Sequence, residues 1–521
     1  MQINFKNISD LILITFCSST FFSCQTHESS KEVETRPNIL FAIADDQSFP
    51  HTGIYGFSEI STPAFDQVAK SGILFNNAFV AAPQCSPSRA SILTGKNIWQ
   101  LEEAGTHSSS FPKKFTVFTD LLENAGYSLG YTGKAWGPGN WKISGRSRNP
   151  VGPEFSDKKM SDTPTSGINA NDYFENFKTF MDQREEGKPF FFWYGSYEPH
   201  RKYEEGSGKE SGKNLAKAML PSFLPDNEIT RGDILDYALE IEHFDDHLNK
   251  MLQFLAEKGE LENTLIVVTA DNGMPFPYAK ANLQEYGTHV PLAISWPRKI
   301  SKKRTTDELV SLIDLAPTFL EMAGVENLPK MTGLSLTPIL FDEVKSQRDF
   351  VLTGRERHTH ARPDNLGYPA RAIRTQDYLL VKNYKTDRWP MGDPVLEKSD
   401  TQEGQKSMFP GYHDIDDSPS KTWMIEMKDN HKLFEIAFEK RPSVQLYDIK
   451  KDPGCLNDLS SSSDLDSLKS KLLEQLDREL EKEGDPRMKG SEVFDSYPRY
   501  APMRNFSGFK ERGAYNPQYV E

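Results

Sequence analysis

Three apolar runs along this chain each lead into a cluster of polar, chemistry-bearing residues. Pro37-Asn38-Ile39-Leu40-Phe41-Ala42-Ile43-Ala44 runs into Asp45-Asp46. Thr264 to Ala270 has the same design and meets Asp271-Asn272-Gly273. Phe190 to Tyr194 is followed shortly by Glu198-Pro199-His200. Short unbroken apolar runs of this kind predict buried strands of a parallel sheet. Between them, apolar residues recur at three- and four-residue spacing over Thr116 to Ala125, Asp233 to Lys258 and Leu309 to Ala323. This spacing predicts helices, the last one stopped by Gly324. Strands alternating with helices imply an α/β fold with a mostly parallel sheet flanked by helices. Such sheets bind ligands outside the carboxyl ends of their strands. The three polar clusters therefore point to one shared site.

Residues 203–232, rich in Lys, Glu, Gly and Ser, read as a surface excursion. Beyond about residue 350 the alternation fades. Strand-like pieces at Leu379 to Lys382 and Gln445 to Asp448 precede a last predicted helix, Asp464 to Glu481. The pattern predicts a main domain over 37–349, a smaller C-terminal α+β domain over 350–483, and a wrapping segment over 484–521.

Length and charge narrow the picture. The chain has 521 residues, with 37% hydrophobic and 26% charged positions, which suits a folded, loop-rich protein of more than one core. Its formal net charge of -14 argues against nonspecific nucleic-acid binding and means that an anionic substrate needs a locally basic site. At the N-terminus, Lys6 precedes an apolar stretch from Leu11 to Phe16 that continues to Phe21-Phe22-Ser23-Cys24. The stretch is too short to span a bilayer and reads as a signal peptide over 1–24. A small residue before Cys24 is similar to a bacterial lipoprotein cleavage site, so lipidation of Cys24 is expected, with 25–36 as a tether. The chain is then exported to the periplasm or cell surface of a Gram-negative bacterium, touching the membrane only through that lipid. Cys17 and Cys24 belong to the leader, which leaves Cys85 and Cys455 in the body, able in principle to form one bridge.

Cys85 lies in Cys85-Ser86-Pro87-Ser88-Arg89, continued by Ala90 through Thr94-Gly95-Lys96. This string resembles the signature of the type I sulfatases, whose Cys-x-Pro-x-Arg cysteine is oxidised to formylglycine by a maturation enzyme. The resemblance runs from about residue 36 to 460 and takes in Ser311 to Pro317, Leu446-Tyr447-Asp448 and Asp452-Pro453. Within the family, Asp271-Asn272-Gly273-Met274-Pro275-Phe276-Pro277 is most similar to heparan N-sulfatase (sulfamidase) and its bacterial relatives.

The resemblance implies an alkaline-phosphatase-like fold and a carbohydrate sulfatase acting on a sulfated glycan. An algal polysaccharide such as ulvan or carrageenan is favoured over a glycosaminoglycan, N-sulfoglucosamine included. Phosphomonoester or phosphonate hydrolysis is the alternative chemistry of the same superfamily. The hydrated aldehyde would be the nucleophile: one hydroxyl takes the sulfate and the other expels it. Asp45, Asp46, Asp271 and Asn272 are hard oxygen donors suited to calcium or magnesium. The resemblance assigns them, with modified Cys85, to one ion, calcium in preference to magnesium, and makes Asp271 the base for the diol. It assigns Arg89 to anchoring formylglycine, Lys134 to its neighbourhood, Lys280 to the sulfate, and His200 to protonation of the leaving oxygen. Two positions depart from the family pattern: Trp136 stands where a histidine is usual after Gly133-Lys134, and His289 where many relatives have arginine.

A second basic feature lies downstream. Arg355, Arg357, His358, His360, Arg362, Arg371, Arg374, Lys382, Lys385 and Arg388 outnumber Glu356, Asp364, Asp377 and Asp387. Arginine binds carboxylate and sulfate in two-point fashion, so this stretch is the expected subsite for uronate or further sulfate groups. From it, Arg355, Arg357, His358, Arg371, Arg374 and Arg388 are the expected substrate contacts. Trp136, Trp141 and Trp389 are candidates for stacking on sugar faces.

Overall fold

The computed structural model describes residues 36–342, 347–394, 411–428 and 432–501. Cys24 and its expected lipidation fall outside this range. Seven strands form the main sheet: β1 (Asn38–Ala44), β2 (Ile73–Phe79), β3 (Ser128–Gly133), β4 (Phe190–Gly195), β5 (Thr264–Ala270), β6 (His289–Ser295) and β7 (Arg304–Ser311). Their spatial order is β3-β4-β1-β5-β6-β2-β7. All neighbours run parallel except β6, which is antiparallel to both β5 and β2. The three apolar runs are the three adjacent strands β4, β1 and β5, buried at every position. Burial of both alternating faces requires cover on each side of the sheet.

Two groups of helices supply that cover. Helices α1 (Pro63–Ser71) and α4 (Tyr173–Gln183) pack on the long α5 (Glu228–Glu257). Helices α2 (Cys85–Thr94) and α3 (Phe118–Asn124) pack on α6 (Leu315–Met322). Helix α5 begins five residues before the apolar spacing suggests, because the Asn227 side chain accepts a hydrogen bond from Thr230 N and caps it. The expected helix over Leu309 to Ala323 is corrected at its start. Leu309 to Ser311 close strand β7, and the hydrogen bond from Ser311 N to Asp314 Oδ2 at 3.0 Å starts the helical turn, which α6 continues from Leu315. Its apolar residues satisfy a buried strand and a buried helix equally, so periodicity alone does not separate the two.

The second sheet is wholly antiparallel, in the order β8 (Phe350–Arg355), β9 (Ala370–Thr375), β10 (Tyr378–Asn383), β11 (Val444–Asp448). Leu472, Leu476 and Leu480 of helix α7 (Asp466–Glu483) form one apolar stripe against Leu352, Ile373, Leu380 and Leu446 of this sheet. A further core cluster unites Ile234, Tyr237 and Ile241 of α5 with Ala372, Leu379 and Val381 of the sheet. The described residues of 484–501 then return to the first sheet's loops, where Tyr500 N donates to Ser108 O at 2.6 Å. No described helix is long and apolar enough to cross a membrane.

Candidate active site

The carboxyl ends of β1, β4 and β5 lie side by side, so the residues that follow them share one floor. Asp45 and Asp46 leave β1, Asp271 and Asn272 leave β5, and all four are buried. Asp46 N donates to Asp271 Oδ1 at 3.2 Å, which ties the two strand ends together. Helix α2 points its N-terminus at this floor, with Cys85 as its first residue. The positive end of the helix dipole therefore faces the place where Cys85 meets the carboxylates. The Cys85 thiol donates to Asp45 Oδ1 at 3.4 Å and lies 3.8 Å from Asp46 Oδ1. Burial, reinforced by Asp45, pushes this thiol well above its ordinary pKa, so an unmodified Cys85 is a poor source of thiolate.

Cations close the ring. One turn along α2, Arg89 Nε donates to Asp271 Oδ2 at 2.7 Å, and its Nη1 donates to the carbonyls of Lys134 and Ala135 at 2.6 and 3.0 Å. Lys134 follows β3 and pairs with Asp45. Its placement rests on two glycines. Gly133 has φ of 72°, and a Cβ there would fall 2.1 Å from Gly195 O; a Cβ on Gly195 would fall 1.9 Å from Lys134 O. Lys280 Nζ donates to Asp46 Oδ2 at 2.6 Å and to Asp416 Oδ2 at 3.0 Å. Burial opposes the charge of Lys280, but Asp416 and Asp46 outweigh it and raise its pKa well above the lysine norm. Burial likewise works against ionised Asp45, yet Lys134, His200 and Arg89 hold it below the usual carboxylate range. Burial keeps Asp271 above that range in spite of Arg89.

His200 is the partly exposed member. Its Nε2 lies 3.8 Å from Asp46 Oδ2, while Nδ1 is 2.6 Å from Arg201 O. A proton on Nδ1, donated to that carbonyl, leaves Nε2 as the nitrogen that faces the floor. A cavity of about 610 Å³ opens above these groups, lined by Asp45, Cys85, Lys134, His200 and Lys280. His107, Tyr197 and Asp416, none of them singled out by sequence reasoning, share its wall. Asp416 stands in Asp414-Ile415-Asp416-Asp417, whose acidity was the one available signal.

The expected sugar subsite needs correcting. Arg374 forms a two-point pair with Glu285 at 2.9 Å on each side. Arg371 is sealed between Asp485 and Glu356 at 2.7 Å each. Arg355 donates to Asp414 Oδ2 at 2.7 Å, and Arg357 is spent on Thr106 Oγ1 and the carbonyls of Tyr497 and Pro498. Arg388 holds Asp495 at 3.1 Å and Gly367 O at 2.8 Å. None of these five arginines lines the cavity; of the six expected contacts only His358 does, its Nδ1 held 3.2 Å from Asp414 Oδ1. The partners of the five arginines are protein side chains and carbonyls, so these arginines act as internal scaffolding.

Trp136 lines the cavity from a buried position and donates Nε1 to Ser86 O at 3.1 Å, bracing the first turn of α2. Trp141 and Trp389 pack against apolar cores. His289 is outside the cavity lining, stacked on Phe49 and paired with Glu285 at 3.1 Å. Cys85 and Cys455 are both free, so the one bridge available to the body is not made.

Comparison with known proteins agrees with this arrangement. The profile described as Sulfatase matches residues 37–325, and one described as N-sulphoglucosamine sulphohydrolase, C-terminal, matches residues 277–409. An ulvan-active sulfatase of Formosa agariphila is 27% identical over 493 residues, spanning 93% of this chain and 87% of the relative. Human N-sulphoglucosamine sulphohydrolase is 29% identical over 388 residues, 66% of this chain and 73% of the relative. A solved complex with its substrate D-glucosamine-2-N,6-O-disulfate superposes with a TM-score of 0.61 at 21% identity, over 87% of this chain and 100% of the other. A 2-O GAG sulfatase does so with a TM-score of 0.60 at 17% identity, over 91% and 99%. These two structures share the alkaline-phosphatase-like fold. With the family profile covering more than half of its residues, the chain belongs to the sulfatase family and is a sulfuric ester hydrolase.

Proposed function

We propose that this enzyme removes sulfate groups from a sulfated polysaccharide or its oligosaccharides, an algal polysaccharide such as ulvan or carrageenan being the favoured substrate. The observation that carries the reading is the floor of the cavity: Cys85 at a helix N-terminus, between buried Asp45, Asp46 and Asp271 and within reach of Lys134 and Lys280. The match of the ulvan-active relative over 93% of this chain favours the algal substrate. Action on an extracellular polymer fits export to the periplasm or cell surface.

The donor set fits a divalent cation. Asp45, Asp46, Asp271 and Cys85 bring ligand atoms within 4.8 Å of one another, and buried Asn272 Oδ1 has no hydrogen-bond partner. The oxygen donors of Asp45, Asp46, Asp271 and Asn272, rich in carboxylates, suit calcium better than magnesium, which demands a tighter octahedron. Asp45, Asp46, Asp271 and Asn272 would hold the ion together with modified Cys85. When bound, such an ion polarises sulfate oxygens and eases deprotonation of a nearby hydroxyl.

In this reading a maturation enzyme, using an external oxidant, oxidises Cys85 to formylglycine with loss of its sulfur, and water adds to the aldehyde to give a geminal diol. Asp271 accepts the proton of one hydroxyl, whose oxygen attacks sulfur. The bond from sulfur to the sugar oxygen breaks, and His200 delivers the proton that oxygen needs. Lys280 and Lys134 hold the equatorial sulfate oxygens, and Arg89 fixes the diol. The second hydroxyl then loses its proton, the bond between carbon and the sulfate oxygen breaks, and sulfate leaves as the aldehyde reforms.

The C-terminal profile match supports a second reading, a glycosaminoglycan sulfatase that includes N-sulfoglucosamine among its substrates. Ion chromatography of sulfate released from ulvan, carrageenan and heparan oligosaccharides separates the two. Release from the algal oligosaccharides alone supports the proposal, and release from heparan alone overturns the algal assignment. Faster release of phosphate from aryl phosphate than of sulfate from any sulfated probe overturns the sulfate reading.

A further inference from the structure

The cavity that is expected to receive a sulfate carries a carboxylate on its wall. Asp416 enters from the segment after the second sheet and accepts a hydrogen bond from Lys280 Nζ through Oδ2 at 3.0 Å. Its side chain remains 30% exposed and lines the cavity, so the carboxylate is not used up by that pairing. Asp416, Asp46 and His200 bring ligand atoms within 4.8 Å of one another. Asp416 thus stands beside both the lysine assigned to sulfate and the histidine assigned to the leaving oxygen. Arg201, the guanidinium on the same wall, is committed to Asp233 at 2.6 and 2.9 Å and to Pro275 O at 2.9 Å.

Resting on the sulfatase reading above, we propose that Asp416 is a specificity-determining residue. Its carboxylate accepts a hydrogen bond from a hydroxyl on the sugar carbon next to the sulfated one. The substrate class it selects is a sugar sulfate with a free hydroxyl beside the scissile group. The distances place the contact there: a group that meets Asp416 while the sulfate meets Lys280 lies only a few bonds from the sulfur. An acceptor-only carboxylate rewards a donor at that position and repels a second sulfate or a uronate carboxylate. A polar site that loses its partner rejects the deoxy analogue strongly, which makes the contact measurable.

The test uses the full-length matured enzyme and a panel of monosulfated hexose glycosides. The best substrate of the panel is compared with its counterpart lacking the neighbouring hydroxyl and with its counterpart carrying a second sulfate there. Sulfate release is followed for wild type and for Asp416→Asn and Asp416→Ala. Wild type is expected to prefer the hydroxyl-bearing glycoside over both counterparts by about tenfold or more in kcat/KM. Both variants are expected to shrink that ratio toward one, whatever happens to the absolute rates. If the variants slow all three substrates in parallel, the residue acts only by positioning Lys280 and the inference falls. It also falls, with the sulfatase reading intact, if wild type prefers the disulfated probe or the probe lacking the neighbouring hydroxyl. No sulfate release from any of these probes would overturn the sulfatase reading itself, and the inference with it.

Discussion

Two buried clusters of opposite charges among the described residues differ in what they can reach. The first, at the ends of β1 and β5, sets Arg89, Lys134 and Lys280 against Asp45, Asp46 and Asp271 under an open cavity. The second, beneath the C-terminal sheet, sets Arg355, Arg362, Arg371 and Arg487 against Asp414, Glu356 and Asp485. Arginine supplies the cations of these sealed pairs: Arg371 and Arg487 each match a carboxylate at two points, and Arg355 and Arg362 share Asp414 Oδ2. Of the three cations of the open cluster, the two that line the cavity are lysines, compact charges able to serve an incoming oxyanion. The density of basic residues is higher in the sealed cluster. What separates scaffold from site is the open side, not the amount of charge.

The largest effect expected from breaking this contrast falls on the open cluster. Cys85→Ala should reduce sulfate release by roughly a thousandfold or more, because a unit of covalent catalysis is removed whole. The thermal midpoint should stay close to wild type, and mass analysis of the wild-type peptide should show formylglycine in place of the cysteine. Retained turnover in that variant would sink the central assignment. Chelation comes next. Stripping divalent ions should abolish most activity, and added calcium should restore it and raise the thermal midpoint, by about 2.7 kcal/mol of stabilisation at a hundredfold excess over Kd. Asp46→Asn should blunt that calcium-dependent rise; a rise of equal size in the variant would show that the ion binds elsewhere.

The sealed cluster should respond in stability. Arg371→Ala leaves buried Asp485 without its guanidinium and Glu356 with Arg487 alone, and should cost about 3–5 kcal/mol in denaturant unfolding. Activity per folded molecule should hold, and a selective loss of turnover without destabilisation would reinstate this arginine as a substrate contact.

The smallest expected effect sharpens the comparison from a third position. Glu240 on α5 is a buried carboxylate whose pKa is pushed up to about 9, first by burial and then by Glu198 and Asp236. Its folded-state pKa exceeds the ordinary value of 4.5, so the stability contributed by its proton is complete below that pH and is lost as pH rises toward 9. Glu240→Gln should therefore gain thermal stability relative to wild type as pH is raised over that window. A flat difference would mean that Glu240 is ionised in the folded protein.

Much of the open cluster was legible in the chain. Apolar runs ending in Asp45-Asp46, in Asp271-Asn272 and shortly before His200 announce three strand ends, and parallel topology makes neighbouring strand ends converge. The sealed cluster was misread for an equally physical reason. Composition displays the arginines but not their partners: Asp485 lies 114 positions from Arg371, and Glu285 lies 89 from Arg374. Asp416 was invisible for the same cause, 136 positions from Lys280 in a segment without period. Local pattern reports which face is buried. It does not report which charge, brought from afar, neutralises which.

The depth of Cys85 has a consequence for the order of events in the life of the chain. The residue is 1% exposed, and every residue of its helix is buried. The cavity reaches the side chain of Cys85 but not the buried backbone of its helix. Under the proposed function, an enzyme that grips the whole segment to convert Cys85 would meet it before α2 docks. Folding and maturation would then compete, and the active fraction of a preparation would report their relative rates.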